Sequence, residues 1–175
     1  MLVVADTSPI HYLILIAHDA VLPLLYAQVV IPPAVLRELQ DEETPEPVRL
    51  WVSNPPSWFE VRAPQQQIPV TDMPNLGLGE REAIVLAQEL RADVLLIDER
   101  DGRRAARSRA LAIVGTLGVL EKAAAGGLID LPGALARLQA TSFYAPPALF
   151  EEALARDAAR KRPDATGLRG EITTH

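Results

Sequence analysis

Two unbroken apolar runs, Leu2-Val3-Val4-Ala5 and Val94-Leu95-Leu96-Ile97, each stop at an aspartate, Asp6 and Asp98. Four apolar residues in a row, without polar alternation, suit a strand covered on both faces. Such a strand needs helices above and below it, and the segments between the apolar runs read as helices. Ser8-Pro9 offers an N-cap followed by proline at the first helical position, so a helix is expected from there through Ala17. A second short helix should end at Leu25, and residues 28–31 form the next strand. Pro32-Pro33 stops that strand and opens a helix over about 34–42. A polar, proline-rich stretch follows, interrupted by the apolar residues 48–52.

Farther along, 58–61 reads as a short edge strand and 63–78 as a loop that ends among Gly77 and Gly79. Helices are expected over 80–91 and 101–110, with the second aspartate-terminated strand at 94–97 between them. A brief strand at 112–114 precedes helices at 116–125, 131–139 and 146–161. Strands alternating with helices imply one α/β domain over residues 1–161: a central parallel sheet of four to five strands with helices on both faces. Residues 162–175 are polar and expected to form a flexible tail. In open parallel sheets, sites gather at the carboxyl ends of the strands, which directs attention to the residues just past each one.

Composition narrows the chemistry. The 175 residues are 49% hydrophobic and 23% charged, ordinary for one packed domain. A net charge of −6 means that any contact with nucleic acid must come from a local basic patch. The chain has no cysteine, which excludes disulfides, thiol nucleophiles and Cys-ligated metals, and it has only three histidines, His11, His18 and His175. Carboxylates, hydroxyls and arginines remain. No apolar run approaches the ~20 residues that span a bilayer. No basic leader precedes Asp6, so a soluble, cytoplasmic protein with no membrane contact is expected.

Four carboxylates stand out. Asp6 is a poor candidate for a simple helix cap because Ser8 and Pro9 already start the helix. For Asp98 the capping reading is stronger, since Asp98 or Asp101 could cap the helix that follows. On a helical wheel Glu80 falls at the edge of the stripe formed by Ala83, Ala87 and Leu90, so it faces the sheet. A glutamate merely matched to the helix dipole would also sit there. Glu82 and Glu89 fall on the other side and read as solvated. Glu38, one to two turns into a polar helix, reads by itself as a surface residue.

Together the four say more. Converging strand ends could bring Asp6 and Asp98 onto neighbouring strands, with Glu38 and Glu80 on flanking helices. Like charges ~4 Å apart repel by about 4 kcal/mol at an effective dielectric near 20. A cluster survives only if some members are protonated or a cation neutralises them. All-oxygen donors favour Mg²⁺ or Mn²⁺, and the reaction such a site suits is phosphodiester hydrolysis.

Five segments, in order, carry a family resemblance: Val4-Ala5-Asp6-Thr7-Ser8-Pro9, Ile31-Pro32-Pro33-Ala34-Val35-Leu36-Arg37-Glu38-Leu39, Gly77-Leu78-Gly79-Glu80-Arg81-Glu82-Ala83-Ile84, Leu96-Ile97-Asp98-Glu99-Arg100-Asp101-Gly102-Arg103 and Gly115-Thr116-Leu117-Gly118-Val119-Leu120. Over roughly residues 2–160 the chain resembles the PIN-domain nucleases, more closely the VapC-like branch grouped as DUF3368. The resemblance implies a three-layer α/β/α fold and an acidic pocket that binds Mg²⁺ or Mn²⁺ and cleaves RNA. Its four acids fall on Asp6, Glu38, Glu80 and Asp98, with Asp101 as a rival ligand. Glu80 stands where typical VapC proteins carry aspartate, which sets the carboxylate one methylene farther from the backbone. The function implied is a metal-dependent endoribonuclease, the toxin of a VapBC-like toxin–antitoxin pair. It would form a homodimer and be held in check by a small antitoxin protein that reaches the acidic pocket with a basic residue.

Arg100, Arg103, Arg104 and Arg107 recur at i, i+3, i+4 and i+7 beside Asp98, a stripe suited to an RNA backbone or to a solvated face balanced by Glu99 and Asp101. Thr7 and Ser8 could position water or phosphate; Ser8 equally suits the N-cap. Trp51 and Trp58 read as core or interface packing. A phosphatase of the haloacid dehalogenase type needs a second acid two residues after the first, where Ser8 stands, and a receiver domain needs a lysine at a later strand end. Gly77-Leu78-Gly79 lacks the third glycine of a dinucleotide fingerprint. The remaining alternative is a PIN-like module that binds RNA or a partner protein without cutting.

Overall fold

The computed structural model describes residues 1–66 and 73–162. Five parallel strands form one sheet in the order β3-β2-β1-β4-β5: β1 (Leu2–Ala5), β2 (Gln28–Ile31), β3 (Phe59–Val61), β4 (Val94–Leu96) and β5 (Ile113–Val114). The chain lays strands outward on one side of β1, then crosses back to place β4 on the other side. The switch in direction therefore falls between β1 and β4, the place where open parallel sheets gather their sites.

Successive strand residues point to opposite faces, and the core divides accordingly. Val3, Ala5, Val29, Ile31 and Leu96 pack against α1 (Thr7–Leu15), α2 (Val21–Leu25), α3 (Pro33–Leu39), α4 (Glu46–Ser53), α7 (Thr116–Ala125), α8 (Leu131–Gln139) and α9 (Pro147–Lys161). Val4, Val30, Leu95 and Ile97 pack instead against α5 (Leu78–Glu89) and α6 (Arg100–Ser108). This is the expected three-layer α/β/α arrangement. Among the described residues no helix is long and apolar enough to cross a membrane.

Local departures from expectation have local causes. The first helix begins at Thr7, which moves Ser8 and Pro9 inside its first turn and leaves Asp6, not Ser8, at the cap position. The helix stops at Leu15 because Ala17 turns to φ 56° and the chain closes with His18 N–H donating to Leu13 O. The proline-rich stretch contains α4, whose Val48 and Val52 are buried one turn apart. Neither Asp98 nor Asp101 caps α6; Glu99 occupies that position and makes no side-chain cap bond. Trp51 and Trp58 pack together at 5.7 Å between ring centres, with Phe59 edge-on to both. The loop expected at 63–78 is neither helix nor strand over 63–66 and 73–77, but its last residue, Leu78, opens α5; residues 67–72 lie outside the described residues, as do 163–175 of the expected tail.

Candidate functional site

Asp6 lies at the carboxyl end of the central strand, and its N–H donates to Leu96 O at 2.9 Å, fixing it beside β4. It is 3% exposed, makes no cap bond with its side chain, and its Oδ1 is buried with no hydrogen-bond partner. Burial pushes its carboxyl up to about 7; the Thr7 N–H opposes the rise, while Glu80, Glu38 and Asp98 add to it. Acids from α3, α5 and the end of β4 thus all act on one orphaned carboxylate.

Asp98 follows β4 by two residues and is held from α7. Thr116 N–H donates to Oδ1 at 2.7 Å and Thr116 Oγ1–H to Oδ2 at 2.6 Å. Thr116 is fully buried as the first residue of α7. Burial still raises the Asp98 pKa; the two Thr116 bonds and the Arg103 guanidinium pull against it. The sequence reading missed Thr116 as a partner. Its only signal was a threonine at a helix start after a short strand, 18 positions from the acid it serves.

Glu80 sits in the first turn of α5, partly buried as its helical phase required, and Oε2 accepts the Gly77 N–H at 2.9 Å. Both readings of this residue hold at once: it faces inward and closes the helix start. Burial raises its pKa, partly offset by that bond, with Glu99, Glu38 and Asp101 adding repulsion. Glu38 lies on the exposed side of α3, and its Oε2 accepts the Thr7 hydroxyl. Thr7 thus gives its hydroxyl hydrogen to Glu38.

The arginine stripe is divided. Arg103 is partly buried and turns one nitrogen inward, Nη1 donating to Ile97 O at 2.8 Å. Arg104 pairs with Asp101 at 3.1 Å, and both are well exposed. Arg100 and Arg107 remain exposed. The two glutamates expected to be solvated are also engaged. Glu82 Oε2 accepts the Ala34 N–H at 2.9 Å, capping α3 from α5, and Glu89 accepts the N–H groups of Gln65 and Gln66. Helical phase placed both away from the sheet, but could not foresee that α3 and the 62–66 segment come to that side.

The donor set is all oxygen, and Asp6 Oδ1 is a buried acceptor without a donor, so the chemistry fits a hard divalent cation. Among the described residues, however, no three carboxylates stand close enough to share one ion as placed. A family model described as a PIN domain, DUF3368, matches residues 2–158. No curated protein and no solved structure matches the chain.

Proposed function

The chain belongs to the DUF3368 family of PIN domains, whose members are generally nucleases, and from that premise we propose that it is a metal-dependent endoribonuclease, the toxin of a toxin–antitoxin pair. The observation that carries this reading is Asp6: a buried carboxylate at the central strand end, with an unpartnered oxygen and three further acids acting on it. Asp6, Glu38, Glu80 and Asp98 would hold Mg²⁺ or Mn²⁺, with exposed Asp101 as a rival. Bound there, the ion would stabilise the charge that develops on a phosphodiester in the transition state.

The chain's own groups account for the rest. Asp98, fixed by Thr116 at both oxygens, holds one orientation. Burial pushes the Asp6 carboxyl up to about 7, and a cation bound beside it would favour its ionised form. Arg100 and Arg107 are exposed on α6 and suit RNA phosphates. Ser8, on the first turn of α1, is partly exposed beside Asp6 and suits a phosphate or water contact. A homodimer and a cognate antitoxin protein complete the proposal.

The first test is thermal melting with and without Mn²⁺. At 10 mM metal and a Kd near 1 mM, linkage gives about 1.4 kcal/mol, or roughly 3–6 °C for a domain of this size. The wild type should shift by that much and Asp98→Asn should not; both should melt alike in EDTA to within a few degrees. RNA cleavage should then be lost in Asp6→Asn and Asp98→Asn, and full activity in both would reject the site. The second reading, binding of RNA or a partner without cleavage, is favoured by the spacing of the carboxylates, no three of which among the described residues are placed to share an ion. Retained RNA binding with no Mn²⁺ shift would establish it.

A further inference from the structure

Three glycines sit where glycine's backbone freedom is not used. Among the described residues the glycine in the left-handed region is Gly127, whereas Gly79 and Gly102 lie within α5 and α6, and Gly115 caps α7 at φ −96°. Glycine is the poorer helix former, so its presence inside helices at Gly79 and Gly102, as at Gly118 in α7 and Gly133 in α8, calls for another cause. Space is that cause. A β-carbon on Gly79 would lie 2.6 Å from Glu38 Oε1; on Gly102, 2.6 Å from Glu80 Oε1; on Gly115, 2.8 Å from Asp98 Oδ1. Each glycine thus faces one of the acids, and each acid reaches its glycine from a different element. Gly133 also lies near a carboxylate, but there its own N–H donates to Asp130 in an ordinary helix cap.

We propose that Gly79, Gly102 and Gly115 are positioning residues: the missing side chains leave the space that Glu38, Glu80 and Asp98 occupy at the end of the sheet. The inference rests on the metal-site reading above. It adds that the placement of the acids is set by the backbone opposite them as much as by their own helices. Gly79 gives the cleanest case, because all three atoms nearest its absent β-carbon belong to the movable end of Glu38. At Gly102 and Gly115 a β-carbon would also meet Ile97 or Arg103, so folding and acid placement would be disturbed together.

The test is a Mn²⁺ titration followed by thermal melting of the wild type, Gly79→Ala, Glu38→Ala and the double variant. Gly126→Ala serves as control, since a β-carbon there meets nothing closer than 3.5 Å. In EDTA, Gly79→Ala should melt no lower than the wild type, because alanine favours the helix and Glu38 can swing aside. The Mn²⁺ concentration giving half the shift should rise at least ~10-fold, the scale on which residues supporting metal ligands act. Adding Gly79→Ala to Glu38→Ala should change that midpoint no further. An unchanged midpoint in Gly79→Ala, or a further full loss in the double variant, overturns the proposal while leaving the metal site standing. If Gly79→Ala melts lower in EDTA, the double variant still decides. No Mn²⁺ response in the wild type overturns the metal reading, and this inference falls with it.

Discussion

At the scale of single residues, Asp6 and Thr116 carry the sharpest consequences. The Asp6 pKa is raised in the folded state, so its contribution to stability is full below the unfolded value near 4 and is lost as pH rises through about 7. In EDTA, Asp6→Asn should therefore be more stable than the wild type at pH 8, by about 2–4 kcal/mol, and equal to it near pH 4. Urea unfolding at the two pH values measures the difference, and a destabilised variant at pH 8 would contradict it. Thr116 works in the opposite sense. Thr116→Val removes the hydroxyl donor to Asp98 Oδ2 in a site where Thr116 itself is wholly buried, and should cost about 2–3 kcal/mol. Thr116→Ser keeps the donor and should recover most of that loss in the same unfolding experiment.

At the scale of elements, the helix ends govern where the acids lie. Glu82 ties the start of α3 to α5, and Thr7 ties the start of α1 to Glu38, so three helices lock together around the strand ends. The other helix ends hold recoverable strain. Ala17, Arg91 and Ala110 each turn into the left-handed region just past a helix, at φ 56°, 48° and 57°, closed by the same paired backbone bonds that close α7 at Gly127. Only glycine adopts that conformation without a steric penalty. Ala110→Gly should thus stabilise by about 0.5–1 kcal/mol, and Gly127→Ala should destabilise by a similar amount. Opposite shifts in melting temperature would verify both; shifts of the same sign would not.

At the scale of the whole molecule, the response to pH is set by acids whose ionisation the fold opposes. Asp6, Glu80 and Asp98 all have raised pKa values with burial as the leading cause, so all three lose stability as pH rises. Asp157, drawn down by Lys161 and Arg160, acts in the other direction, and its contribution falls away only as pH drops below the ordinary carboxylate range. The metal-free protein should accordingly be most stable at mildly acidic pH, between those limits. Saturating Mn²⁺ should move the maximum toward pH 7–8, because a bound cation favours the ionised acids. Melting curves from pH 4 to 9, with EDTA and with Mn²⁺, report this directly; superimposable profiles would mean that the acids do not share a cation.

The sequence by itself determined the architecture and singled out four acids. A strand buried on both faces leaves an unbroken apolar run, a helix leaves a 3.6-residue stripe, and an aspartate ending such a run is visible without any partner. Helical phase alone turned Glu80 toward the sheet. What only the tertiary structure decided is what these groups touch. Asp6 and Asp98 are neighbours because β1 pairs with β4 after β2 and β3 have been laid down elsewhere. Thr116 reaches Asp98 across 18 positions, Glu82 reaches Ala34 across 48, and Arg103 turns back to the Ile97 carbonyl. Periodicity reports which way a side chain leaves its own element, whereas a hydrogen bond depends on a second element whose position is set by the packing of the entire sheet.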